Sequence, residues 1–182
     1  EEGELFASMG TAESLVAITD KLMITEDVFK SGFCVGRNLT GNNFCIMGGI
    51  SSSGASVEWF GKNIVGKDSS GESIYKKFDQ LALEMKPEPS GIFFTPYITG
   101  RGTPVLDYKA RGSFIGIRSE HTKADLLKSV YEGVSYECRL ALDTLEKISG
   151  AKIKSPTVTG GSTKNQYWMN VKANVLGRNL DI

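Results

Sequence analysis

The chain has 182 residues, of which 40% are hydrophobic and 23% are charged, and its 21 basic residues balance its 21 acidic ones. This composition is typical of one globular domain, and the zero net charge gives no support to binding of nucleic acid or of an anionic membrane. No apolar run approaches the roughly 20 residues of a membrane-spanning helix, and the acidic first residues are unlike a secretion signal. We therefore expect a cytoplasmic protein without a membrane or nucleic-acid partner.

The first third of the chain is predicted to form strands, at residues 5–9, 14–19, 32–35 and 44–47. The last two runs flank a polar segment with Gly41 and Asn42, which is typical of a hairpin. The three cysteines have no metal-binding spacing and are expected to be buried, reduced thiols, although Cys34 and Cys45 could face each other across this hairpin.

Helices dominate the remainder. A helix of one to three turns is predicted behind the serines 51–53, and others at 73–85, 122–148 and 163–176. Between them, residues 93–111 are predicted to be an extended loop, and residues 113–117 and 155–159 to be strands. Strands followed by mixed helices and strands favour an α/β domain with a mixed sheet flanked by helices. Residues 180–182 look like the start of a further strand, so we expect the chain to be cut from a longer protein.

The sharpest local motif is residues 159–165, TGGSTKN, between a predicted strand and a predicted helix. Glycines let the backbone approach a ligand closely, and a helix N-terminus offers free N–H groups. Asn165 is expected in the first helical turn, where its amide can bind a nucleotide. The alternative is a plain strand-to-helix turn, and the spacing fits neither a dinucleotide fingerprint nor a Walker loop.

Two further segments carry weaker motifs of the same kind. Gly10 and Thr11 lie between two predicted strands and can present an N–H and a hydroxyl to phosphate oxygens. Gly54 begins a predicted helix, and Glu58 follows it by one turn. When each segment stands alone, an ordinary hairpin turn and an ordinary helix start with Trp59 in the core are the better explanations. No nucleophile and base constellation is evident.

The order of these segments resembles one family. Residues 112–117, GSFIGI, then seven residues, then 125–132, DLLKSVYE, are similar to the C-terminal signature of FGGY carbohydrate kinases. The upstream loop at 96–112, the segment at 159–178 and the hairpin at 8–11 resemble the corresponding parts of that family, so the likeness covers nearly the whole chain.

The resemblance implies the ATP-binding, C-terminal lobe of a ribonuclease H-like, actin-like kinase that phosphorylates a sugar or polyol with ATP and Mg²⁺. It implies nucleotide contacts at seven positions. The sugar would bind mainly to the N-terminal lobe, and the family's catalytic aspartate would lie before residue 1, so no catalytic or metal-binding residue is expected in this chain. The seven positions are Gly10, Thr11, Gly54, Glu58, Gly160, Gly161 and Asn165.

Several alternatives stay open. Glu58 stands where some members of this family have glutamine. A pentulose such as xylulose is one substrate that the resemblance implies, and glycerol, gluconate and a homodimer of the full-length protein remain open. An actin-like ATPase of a non-kinase class, or a binding module without activity, shares the fold, and only the signature at 112–132 favours the kinase.

Overall fold

The computed structural model describes residues 3–39, 41–66 and 73–182. Within these residues, no helix combines the length and apolar character needed to cross a membrane. In chain order, the elements are β1 (Leu5–Met9), β2 (Glu13–Thr19), α1 (Glu26–Lys30), β3 (Cys34–Arg37), β4 (Phe44–Ile50), α2 (Gly54–Phe60) continued by a π-helical turn (Gly61–Val65), α3 (Ile74–Glu84), β5 (Phe93–Thr95), β6 (Ser113–Ile115), α4 (Lys123–Ser149), β7 (Thr157–Thr159), a 3-10 turn (Gly161–Lys164) and α5 (Gln166–Leu176).

The main sheet is mixed, as the sequence predicts. Its strand order is β3-β4-β2-β1-β7, in which β1 and β7 run parallel and the other pairs are antiparallel. Burial alternates along β1, so that Leu5, Ala7 and Met9 face the core. Strands β5 and β6 form a separate antiparallel pair in which Phe93 lies opposite Ile115. Strand β7 thus forms one edge of the five-stranded sheet and leads directly into the glycine motif at 159–165.

Helix α4 forms the centre of the domain. It begins at a capping box in which the Thr122 N–H donates to Asp125 Oδ2 at 2.8 Å, and it ends at Gly150, whose φ of 73° is left-handed. The helix predicted at 122–148 is confirmed, and its Val130 and Val134 are fully buried. Because α4 contacts α2, α3, α5, β4 and β5, it fixes the relative positions of the other helices.

Two glutamates of α4 hold the loops around it. Glu132 accepts hydrogen bonds from the hydroxyl and N–H of Ser90. Glu137 pairs with Arg101 at 2.7 Å and accepts from the Tyr97 hydroxyl at 2.9 Å. Burial and the Glu137 carboxylate together raise the pKa of Tyr97 to about 12, so that this hydroxyl stays protonated and donates. The long loop predicted at 93–111 is thereby tied to the core.

Several predicted boundaries are wrong for physical reasons. The strand expected at 32–35 begins at Cys34, because Gly32, with a φ of 68°, closes the turn after α1. The expected loop at 93–111 begins with strand β5, which β6 pairs. The helix expected from residue 163 begins at Gln166, because a 3-10 turn precedes it. Of residues 180–182, Asp181 makes one parallel bridge to Thr157.

The cysteines differ partly from expectation. Cys45 and Cys138 are buried and free, as predicted, whereas Cys34 is exposed. In the hairpin of β3 and β4, Cys34 pairs with Met47 and Cys45 with Gly36, so the two thiols do not face each other. Thr40 lies outside the described residues.

Candidate functional site

Six of the seven predicted site residues line one cleft of about 620 Å³, a volume typical of small-molecule sites. They come from the turn between β1 and β2, the start of α2 and the turn before α5. Gly160 is the exception and does not line the cleft. The lining residues are Met9, Gly10, Thr11, Gly54, Val57, Glu58, Ile74, Tyr75, Phe78, Asp79, Gly161, Ser162, Lys164, Asn165 and Trp168.

The turn after β1 is joined directly to α2. The N–H groups of Gly54 and Ala55 donate to the carbonyls of Gly10 and Thr11, at 3.1 and 2.9 Å. A Cβ on Gly54 would lie 2.4 Å from the Gly10 oxygen, so this close approach requires glycine. The first N–H groups of α2 are thus used within the protein, and the exposed Thr11 hydroxyl has no partner among the described residues.

The two adjacent glycines before α5 serve different purposes. Gly160 has a φ of 107°, and a Cβ there would lie 2.5 Å from the Met9 carbonyl oxygen, so it packs the turn against β1. A Cβ on Gly161 would meet nothing within 4 Å, and this glycine faces the cleft. Among the described residues, no acceptor pairs with the N–H groups of Gly161 and Ser162. These free donors at a helix start suit an anionic or polar ligand.

The sequence predicts Asn165 in the first helical turn. In the structure, Asn165 instead precedes that turn as the N-cap of α5. Its side-chain oxygen accepts from the Trp168 N–H at 2.9 Å, and its side-chain nitrogen donates to the Tyr131 hydroxyl at 2.9 Å. Tyr131 is buried, which raises the pKa of its hydroxyl above the ordinary value, and it stacks on Trp168. The Asn165 amide therefore links α4, α5 and the cleft.

Because of this double role, Asn165→Ala is expected to reduce stability as well as affinity for a ligand in the cleft. Loss of the cap alone removes about 1 kcal/mol from the free energy of unfolding. Asn165→Asp is the control, since it keeps the capping oxygen and replaces the amide donor to Tyr131 by a charged carboxylate oxygen that can accept from the same hydroxyl. Urea unfolding of the three proteins tests this. Equal stability of Asn165→Ala and wild type would show that the cap contributes nothing.

Charged groups at the cleft are few and exposed. Glu58 lines the cleft, but its carboxylate pairs with Lys62 at 2.7 Å along the surface of the helix. Lys164 also lines the cleft and has no acidic partner among the described residues. Its ammonium is therefore available to an anionic ligand, in contrast to the carboxylate of Glu58.

Sequence reasoning missed the wall that α3 contributes. Tyr75, Phe78 and Asp79 line the cleft from this helix, and the Tyr75 and Phe78 rings meet edge to face. The apolar spacing at 73–85 predicts a helix but gives no sign of the cleft, although Phe78 is both buried and cleft-lining. Lys164 was within the quoted glycine motif, and its place between Gly161 and Asn165 was an available signal.

The cleft can hold a ligand with a flat apolar part and an anionic part. Met9, Val57 and Phe78 supply apolar surface, and Thr11, Lys164 and the N–H groups at Gly161 supply polar contacts. The described residues contain no group of three or more His, Cys, Asp or Glu side chains placed to hold a metal. The cleft therefore offers the groups that binding of such a ligand would need.

Comparisons with known proteins identify the family of the chain. Residues 5–182 match the model of the FGGY family of carbohydrate kinases, C-terminal domain. The chain is 32% identical over 134 residues to a xylulose kinase of Staphylococcus epidermidis, covering 74% of the chain and 26% of that protein. It is 28% identical over 176 residues to a glycerol kinase of Lactobacillus delbrueckii subsp. bulgaricus, covering 97% of the chain and 32% of that protein.

A solved structure gives the same result. The fold superposes on a "xyloylose kinase" from Brucella ovis with a TM-score of 0.86 and 28% identity, covering 99% of the chain and 36% of that protein. The chain thus spans between 26% and 36% of the length of these three relatives. The predicted ribonuclease H-like, actin-like α/β fold with a mixed sheet is confirmed. The chain belongs to the FGGY family of carbohydrate kinases and matches its C-terminal domain.

Proposed function

We propose that this chain is the nucleotide-binding lobe of an enzyme that transfers a phosphoryl group from ATP to a hydroxyl of a sugar or polyol. Family membership supports the kinase, and one structural observation carries the assignment of the site. Three segments far apart in sequence, at Gly10, Gly54 and Gly161, meet in a single cleft, and Gly161 leaves its side of the cleft open.

ATP fits the chemistry of the two ends of the cleft. The adenosine would lie against Gly161 and Asn165, beside the apolar surface of Val57 and Phe78. The phosphates would extend toward the hydroxyl of Thr11. Mg²⁺ commonly binds through phosphates, water and one or two carboxylates, and the described residues offer no cluster of three metal-binding side chains. The phosphates would therefore supply most of its ligands on this lobe.

The remaining parts of the reaction belong to the other lobe of the family. We propose that the sugar and the aspartate that takes the proton from its hydroxyl lie there, and that closure of the two lobes excludes water. The names of the relatives support a xylulose-like ketose or glycerol as substrate, with gluconate still open. A cytoplasmic location and a homodimer of the full-length protein stay predictions from sequence.

A titration of the chain with ADP and Mg²⁺ by calorimetry tests the nucleotide site. We expect weak binding by the wild type, because the second lobe is not there to close the cleft. Gly161→Ala is expected to reduce the affinity about tenfold, or 1.4 kcal/mol, by filling ligand space, and to leave the thermal midpoint unchanged. Gly36→Ala is the matched control, since that glycine has only ordinary contacts away from the cleft.

A coupled assay with common ketoses and polyols tests whether the sugar site and the general base lie on the other lobe. The chain alone is expected to phosphorylate none of them, since loss of a general base alone removes about 10²–10⁴-fold in rate. Steady sugar turnover by the chain would contradict the placement of the base. Sugar-independent ATP hydrolysis would favour the alternative, an actin-like ATPase of a non-kinase class.

A further inference from the structure

Four buried polar side chains form one hydrogen-bonded group where β2, α2, α4 and α5 meet. Glu13 and Lys172 are each 1% exposed, and Lys172 Nζ donates to Glu13 Oε1 at 2.5 Å. The Ser53 hydroxyl donates to Glu13 Oε2 at 3.2 Å, and the Cys138 thiol donates to Oε1 at 3.4 Å. A single carboxylate therefore has three partners from three different helices or helix starts.

Each of these elements leads directly to one wall of the cleft. Glu13 follows Thr11 by two residues, and Ser53 immediately precedes Gly54. Lys172 lies on α5, about two helical turns after Asn165. The carboxylate of Glu13 thus connects the phosphate-side turn, the start of α2 and the helix behind the glycine motif.

The chemistry of the group is unlike that of a core built for stability. Transfer of an ammonium and a carboxylate from water into a protein interior is unfavourable, and a well-packed apolar pair of similar size is often as stable or more so. Burial acts to lower the pKa of the Lys172 ammonium, but Cys138 and Glu13 offset this and the net shift is upward. The ammonium therefore stays charged and keeps its partner.

The side chain of Ser53 bonds to Glu13 and does not cap α2. Ser53 occupies the N-cap of α2, where serine commonly caps the helix, yet its side chain makes no capping bond. Its hydroxyl is turned to Glu13 instead, and the first N–H groups of α2 bond to the carbonyls of Gly10 and Thr11. Helix α2 is thus held against the turn after β1 by both its backbone and its preceding side chain.

We propose that Glu13 and Lys172 are positioning residues of the nucleotide site, which hold the turn at Thr11 and the start of α2 in register with α5. This inference rests on the proposed function, because it assigns the pair a purpose in nucleotide binding. The pair touches no ligand itself, since neither residue lines the cleft. It acts through the three segments that do.

The test separates nucleotide affinity from stability. The double variant Glu13→Leu/Lys172→Met replaces the ion pair by apolar side chains of similar length. We expect its thermal midpoint to stay within a few degrees of wild type, while its affinity for ADP with Mg²⁺ falls about five- to twentyfold. Ser53→Ala, which removes one hydroxyl, is expected to weaken ADP binding by a smaller factor without loss of folding. Leu142→Met/Leu145→Met is the control, because both leucines are buried on α4 away from the cleft.

Four results would contradict the positioning role of Glu13 and Lys172. Wild-type affinity in both the double variant and Ser53→Ala would overturn it, as would an equal loss in the leucine control. Unfolding of both variants would also overturn it, because the group would then hold the whole fold and not the cleft. Failure of the wild-type chain to bind ADP would overturn the proposed function, and this inference with it.

Discussion

Gly54→Ala is expected to remove most of the ADP affinity of the chain and to destabilise it. The new Cβ would lie 2.4 Å from the Gly10 oxygen and 3.1 Å from its carbonyl carbon, which are backbone atoms and cannot rotate away. The turn after β1 and helix α2 must then separate, which breaks their two hydrogen bonds. We expect a loss of about 1–3 kcal/mol in the free energy of unfolding.

The affinity loss should exceed the tenfold expected of Gly161→Ala, since Gly54→Ala displaces Thr11 and α2 together. Calorimetry with ADP and thermal unfolding of the two variants measure the contrast. Gly161→Ala should change affinity alone, because its Cβ meets open space. Normal stability and normal ADP binding by Gly54→Ala would show that the contact between the turn and α2 is not needed.

Gly133→Ala is expected to destabilise the domain although alanine favours helices. In an exposed helix this change stabilises by about 1 kcal/mol. Here the Cβ would lie 2.2 Å from the Phe94 carbonyl oxygen and 3.1 Å from Phe94 Cβ, so α4 must move away from β5. We expect a net destabilisation of about 1–3 kcal/mol.

Urea unfolding measures this effect against Lys147→Ala, a change at an exposed position of the same helix. The control should stay within about 0.5 kcal/mol of wild type. A Gly133→Ala protein as stable as wild type would mean that β5 is free to shift, and that the contact with α4 does not constrain the loop at 93–111.

Local features of this fold were predictable from sequence because their causes are local. The ends of α4 follow from Thr122, Asp125 and Gly150, which lie within one turn of the helix ends. The stop at Gly177 likewise needs only its own left-handed conformation. Strand β5 was missed because three residues carry little periodicity, and its pairing partner lies about twenty residues further along the chain.

The candidate site was only partly predictable for the same reason. Its glycines were identified through the resemblance, but the purposes of Gly160 and Gly161 differ in a way that depends on β1, more than a hundred residues away. The capping role of Asn165 depends on where the preceding 3-10 turn ends. Neither Lys172 nor Glu13 could be paired from sequence, since 159 positions separate them.

The parallel pairing of β1 with β7 has a consequence for synthesis of the chain. Residues 6–8 leave the ribosome long before residues 157–159, which complete their side of the sheet. At about 5–20 residues per second, the 151 residues between Phe6 and Thr157 take roughly 8 to 30 s. During it, β1 has an unpaired edge and Glu13 has no ammonium to neutralise it. The nascent hairpin therefore keeps an edge that is open to non-native strand pairing until β7 emerges.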